Sequence, residues 1–296
     1  MYSFFCGYVS TLSRVVLIHK SYYNSFIMNR KEVTQKSIHL QRNMNLIVYG
    51  TTGLPVLGFP TQNSSCGNYE EFGMIDAIAQ FIESGAIQLF CVDSIDTESW
   101  SDSGGNAEHR AWLQEQYFLY ITEEVLPFML TENNCPQKPL VMGLSMGGTH
   151  AAITFLRRPD LFSGLLAISG VYDTQYFFGP WMNDTLYFNA PLAFIPNMPL
   201  DHPYIAQYNA KKMVFCVGQG AWEEEGIRTL ATLGRQFEQK GILAWIDFWG
   251  FDVSHDWPWW FKMARYFLPH FLMDMPGTSD KTKTTPARTK NGGTKK

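Results

Sequence analysis

Pro139-Leu140-Val141-Met142-Gly143-Leu144-Ser145-Met146-Gly147-Gly148 is the stretch that decides the fold. An apolar run ends on a serine with glycines two residues to either side. Residues 146–158 then read as a helix that stops before Pro159. A strand that turns this abruptly into a helix strains the serine backbone and leaves room only for small residues at Gly143 and Gly147. The same turn lifts the Ser145 hydroxyl above the strand end. It also sets the amide of Met146 at a helix start, where the helix dipole favours negative charge. The stretch predicts an α/β architecture with Ser145 as candidate nucleophile at the carboxyl edge of the sheet.

Working outward, the chain alternates short apolar runs with helical patterns. Residues 37–40 and 44–49 read as an opening antiparallel hairpin around Gln41-Arg42-Asn43. Further strands are expected at 55–59, 87–92, 139–144, 162–169, 213–217 and 243–249. Helices are expected at about 69–83, 107–130, 223–240 and 258–273, with Pro127 kinking or ending the second. Proline-rich residues 174–210 interrupt the alternation. They are read as a cap-like insertion after the sixth strand. The expected whole is a mostly parallel central sheet flanked by helices.

A serine hydroxyl needs a base at neutral pH. Of the seven histidines, His255 follows the last strand in the polar loop Ser254-His255-Asp256-Trp257, where a base reaches back over the sheet. His150 lies five residues past the serine on one helix, so it is expected to pack or cap. The imidazole needs an acid to fix its tautomer, in the chain order serine, acid, histidine. The loop after the seventh strand reads Gly218-Gln219-Gly220-Ala221-Trp222-Glu223-Glu224-Glu225 and holds no aspartate. Glu223 is nearest the strand end and is the choice, with Glu224, Glu225 and Asp173 as alternatives. Asp256 is too close in sequence to turn back onto the His255 ring. Two backbone N–H groups should hold an oxyanion: Met146, and Gln62 in the loop after the third strand, with Thr61 and Asn63 as its neighbours.

Composition narrows the function classes. The chain is 46% apolar and 17% charged, with formal charge −4. The tail from Pro276 to Lys296 concentrates six basic residues against Asp280, so the rest is acidic and gives no reason to expect nucleic-acid binding. That tail, and residues 1–27 ahead of Met28, are expected to be disordered flanks of a single domain over 28–275, with Met28 as the natural start. The run Val15-Val16-Leu17-Ile18 is too short to span a membrane. Five widely spaced cysteines form no CxxC pair and fit a reducing, cytoplasmic setting. No cluster with metal-ligand spacing is visible, and no cofactor is expected. Trp100, Trp181, Phe188, Trp222 and Trp257 are candidates for an aromatic pocket.

The chain resembles the putative esterase family, the esterase D-like branch of the α/β-hydrolases. The resemblance is carried by Pro55–Pro60 with Glu71-Phe72-Gly73-Met74, by Val92-Asp93-Ser94-Ile95-Asp96 and by Gly143–Gly148. It continues in Ser169-Gly170-Val171-Tyr172-Asp173 and His255-Asp256-Trp257-Pro258-Trp259-Trp260. It implies the α/β-hydrolase fold, a Ser/acid/His triad containing Ser145 and His255, and cofactor-free action on a small-molecule ester. Where the family more often has an aspartate in the acid loop, this chain has Glu223. The expected function is serine carboxylic-ester hydrolysis through an acyl-enzyme. Acyl transfer or thioester hydrolysis with the same triad is the alternative, and a non-catalytic binding protein on this fold is the third reading.

Overall fold

The computed structural model describes residues 28–273. The expected flanks, 1–27 and the basic tail from Pro276 to Lys296, lie outside them. Eight strands form one sheet in the order β1-β2-β4-β3-β5-β6-β7-β8. They are β1 (Arg30–Lys36), β2 (Asn43–Tyr49), β3 (Leu54–Phe59), β4 (Ile87–Val92), β5 (Leu140–Leu144), β6 (Gly164–Ile168), β7 (Lys212–Val217) and β8 (Trp245–Phe248). β1–β2 and β2–β4 pair antiparallel, and every later pair is parallel. The parallel strands are apolar runs because helices cover both faces. β3, β4, β5 and β6 are buried at every position.

Alternation along β5 divides the core. Val141 joins Leu57, Phe59, Phe155 and Phe215 on one face. Met142 and Leu144 join Val56, Ile168 and Cys216 on the other. Each such side chain contributes about 1.5–3 kcal/mol through burial. The first face is covered by α3 (Ala107–Leu119), α5 (Met146–Arg157) and α10 (Glu224–Lys240). The second is covered by α2 (Met74–Glu83) and α11 (Trp257–Leu272).

The sequence reading needs revision in three places. The opening hairpin is 30–36 against 43–49, and residues 37–40 form its turn. The Glu124 carboxylate accepts from the Ser37 hydroxyl and from the amides of Ile38 and His39, which satisfies that turn without a strand partner. The first helix is split into α1 (Asn68–Glu71) and α2, because Gly73 adopts φ 86 between them. The long helix does not end at Pro127. A π-helical turn over Tyr120–Val125 joins α3 to α4 (Leu126–Glu132), which places Pro127 in the first turn of α4. Pro127 removes one helical N–H donor, and the wider π-turn directly ahead of it is where the regular bonding pattern changes.

Residues 174–210 form four short helices: α6 (Gln175–Phe178), α7 (Asp184–Phe188), α8 (Pro191–Asn197) and α9 (Pro203–Asn209). α7 packs on α3 and α8 packs on α10. Tyr176 and Phe177 of α6 line the cavity at Ser145, and Phe178, Trp181 and Leu186 of the same segment pack in the cluster that holds Met146. Among the described residues, no helix is long and apolar enough to cross a membrane.

Candidate active site

Ser145 stands between β5 and α5 with φ 56 and ψ −125, a conformation that L-residues rarely adopt. The glycines around it are required by contact. A Cβ at Gly143 would overlap the Gly147 carbonyl, and one at Gly147 would overlap the carbonyls of Phe59 and Pro60. One at Gly148 would come within 2.7 Å of the Ile168 carbonyl oxygen. The helix start is therefore pressed onto the ends of β3 and β6, and the hydroxyl is left at the edge of a cavity.

His255 reaches Ser145 from a loop that is latched to the acid loop. Gly220 N–H donates to the Val253 carbonyl (2.8 Å), and His255 N–H donates to the Ala221 carbonyl (3.0 Å). The His255 Nε2 lies 2.8 Å from Ser145 Oγ, and its Nδ1 lies 2.9 Å from Glu223 Oε2. A carboxylate can only accept, so Nδ1 carries the proton and Nε2 is left to accept from Ser145.

Glu223 is 1% exposed. A buried carboxylate is costly unless its lone pairs are filled. Here Ser169 Oγ–H donates to Glu223 Oε1 at 2.6 Å, and Trp260 Nε1–H donates to Ser169 Oγ at 3.1 Å. Trp260 also sets its ring perpendicular to His255, with centroids 4.8 Å apart. Sequence reasoning missed Ser169 and Trp260. Both lie in the stretches that carry the family resemblance, but they stand 91 residues apart.

The alternative acids are engaged elsewhere. Asp173 accepts from the Gln175 amide (2.7 Å) and from Arg228 (3.1 Å). Glu225 pairs with the same arginine at 2.7 Å, and Glu224 is exposed. Asp256 caps α11 through the Trp257 amide. Other histidines also have other partners: His39 meets Glu123, His202 caps α9, and His150 is buried against Asp96.

Of the loop amides proposed for an oxyanion, Thr61 N–H donates to Asn68 Oδ1 (3.0 Å) and Asn63 N–H to Asp96 Oδ2 (3.3 Å). Among the described residues, neither Gln62 N–H nor Met146 N–H has an acceptor. Both residues border the same cavity as Ser145 and His255. That cavity measures about 290 Å³. Trp222 is the one member of the predicted aromatic set that lines it; Tyr176 and Phe177 supply its other rings. Trp100 is buried with its indole N–H on Gln114, Trp181 packs on Phe178, and Trp257 stacks on Phe72. Phe188 borders a separate cavity of about 360 Å³.

Among the described residues, five non-glycine residues have positive φ: Gln41, Asn63, Ser145, Ser169 and Trp222. All but Gln41 belong to the site or adjoin a residue of it. Each such conformation costs on the order of 1–3 kcal/mol, and such residues gather where function requires them. Buried thiols offer no rival nucleophile: burial, helped by Asp93, pushes Cys66 up to about 12, and burial raises Cys91 and Cys216 well above the ordinary range.

The model of the putative esterase family matches residues 37–263. Solved structures share the fold. A ferulic acid esterase superposes with TM-score 0.64 at 15% identity, over 83% of this chain and 97% of its own. An S-formylglutathione hydrolase from Agrobacterium tumefaciens gives 0.65 at 14% identity, over 84% and 96%. The S-formylglutathione hydrolase apoenzyme from Staphylococcus aureus gives 0.60 at 14% identity, over 83% and 96%. No curated protein is a significant match.

Proposed function

The chain belongs to the putative esterase family, which makes it a carboxylesterase-type enzyme, and from that premise we propose that it cleaves small esters through an acyl-enzyme on Ser145. The observation that carries this reading is the continuous hydrogen-bonded line from Ser145 Oγ through the two nitrogens of His255 to Glu223.

The steps follow from that line. Ser145 Oγ attacks the acyl carbon while His255 Nε2 takes the hydroxyl proton. The carbonyl oxygen becomes an oxyanion between the free amides of Met146 and Gln62, and the N-terminus of α5 adds its dipole. Collapse breaks the ester C–O bond, and Nε2–H gives its proton to the departing alcohol. Water then repeats the sequence on the acyl-enzyme, and Ser145 Oγ regains the proton. Glu223 holds Nδ1–H throughout and stabilises the imidazolium. The cavity volume suits a small acyl group against Tyr176, Phe177 and Trp222.

Trapping the intermediate tests this. Rapid acid quench of the protein with p-nitrophenyl acetate should show a mass gain of one acetyl group on the peptide containing Ser145. A fluorophosphonate probe should label the same serine. Turnover without either adduct would refute the acyl-enzyme.

Ser169→Ala probes the support behind the acid. It leaves one oxygen of a buried carboxylate and the Trp260 N–H without partners, a cost of about 1–3 kcal/mol. The melting temperature should fall by several degrees. We expect kcat to drop by about tenfold while Ser145 still reacts with the probe. An unchanged kcat would mean that Ser169 does not orient Glu223.

A further inference from the structure

Asp96 and His150 form a buried pair that the proposed chemistry does not use. Asp96 is 0% exposed and His150 1%. Their connections run to both halves of the proposed oxyanion hole. His150 lies on α5, the helix whose first amide is Met146. Its Nε2–H donates to Asp96 Oδ1 at 2.8 Å. The other carboxylate oxygen, Oδ2, accepts from the Asn63 amide, next to Gln62.

The loop around Gln62 is tied on every side of the one amide that is left free. Thr61 N–H is held by Asn68. Asn63 sits at φ 60 and is held by Asp96. The Gln62 side-chain amide donates to Ser101 Oγ at 2.7 Å, and Ser101 N–H in turn donates to the Asp96 carbonyl at 2.8 Å. His150 is fixed by its rings: it stacks on Phe59, at the end of β3 where this loop begins (5.8 Å), and meets the edges of Tyr117 and Trp100. A buried carboxylate bonded to helix and loop at once is costly to form and stiff once formed.

Two amides on separate elements stabilise an oxyanion only if their spacing is held to a fraction of an ångström. We infer that Asp96 and His150 are positioning residues that set Gln62 N–H relative to Met146 N–H, coupling the nucleophile helix to the loop after β3. The inference rests on the acyl-enzyme reading.

Asp96→Asn tests it. The amide keeps its oxygen for Asn63 N–H and can turn its NH2 to His150 Nε2 only through the other imidazole tautomer, so both tethers lose the carboxylate charge that strengthens them while shape is kept. The expected result is a fall in kcat for p-nitrophenyl acetate of about 10- to 100-fold, below the roughly 100- to 1,000-fold cost of deleting a donor outright. KM should stay within about twofold. Affinity for a trifluoromethyl ketone, whose serine adduct carries an oxyanion, should weaken by the same factor as kcat/KM. His150→Gln, which can still donate to Asp96, should keep more activity than His150→Ala. Folded Asp96→Asn protein with kcat and ketone affinity both within about threefold of the parent overturns the proposal. If that variant does not fold, Ser101→Ala carries the test, with a joint loss of about threefold to tenfold expected and unchanged values refuting it. Ser145→Ala, assayed alongside, separates the two ideas: activity surviving there sinks the acyl-enzyme, whereas an unaffected Asp96→Asn beside an inactive Ser145→Ala sinks only this inference.

Discussion

Ser145→Ala should lower kcat/KM for p-nitrophenyl acetate by about 10⁴- to 10⁶-fold, to the level that the remaining oxyanion donors and binding can sustain. Alanine keeps the Cβ, so the backbone at φ 56 bears the same strain in both proteins. The neighbouring glycine contacts are untouched, and the strand before Ser145 and the helix after it are buried from Leu140 to Leu144 and from Met146 to Leu156. The melting temperature should therefore stay within a few degrees of the parent. Loss of hydrolysis with the fold intact, read by circular dichroism and by the absence of fluorophosphonate labelling, is the expected pair of results. Retained hydrolysis by a folded variant would require a different nucleophile.

Glu223→Gln comes next, with an expected loss of about 10³- to 10⁴-fold in kcat. The size follows from the direction of the hydrogen bonds. Trp260 N–H donates to Ser169 Oγ, so the Ser169 proton is committed to Glu223 Oε1. In the glutamine variant the carbonyl stays on that side and the NH2 faces His255 Nδ1. Nδ1 must then accept, the imidazole proton moves to Nε2, and the ring can no longer take the proton of Ser145. This makes a second, sharper expectation. Adding Ser169→Ala frees the amide to turn and present its oxygen to Nδ1. The double variant should recover part of the loss, although each change alone is harmful. A double variant no better than Glu223→Gln would mean that loss of charge, and not the wrong tautomer, dominates.

Much of the sheet could be read from residues because its central strands are covered on both faces and appear as unbroken apolar runs. The stretch around Ser145 was legible for a local reason: its glycines answer contacts within a few residues of chain. His255 and Glu223 could be ranked by their place after the last two strands, and the structure brings both to Ser145. What could not be read is set by distance in sequence. Nothing local marks Ser169 as a donor to Glu223, or Trp260 as a donor to Ser169. His150 looked like an ordinary packing residue, since its partner Asp96 stands 54 positions earlier, on a loop rather than on its own helix. The opening hairpin was misplaced because β1, Arg-Lys-Glu-Val-Thr-Gln-Lys, is an edge strand with a mostly exposed, polar sequence. The aromatic pocket was over-read because tryptophan and phenylalanine look alike in sequence whether they fill core or cavity.

The left-handed backbone at Asn63, Ser145, Ser169 and Trp222 has an evolutionary side. At Asn63, Ser145 and Trp222 glycine would relieve conformational energy, so these are latent routes to a more heat-resistant protein, whereas at Ser169 the lost bonds to Glu223 and Trp260 offset that relief. A lineage selected only for persistence at high temperature would drift toward glycine there and surrender turnover as it went.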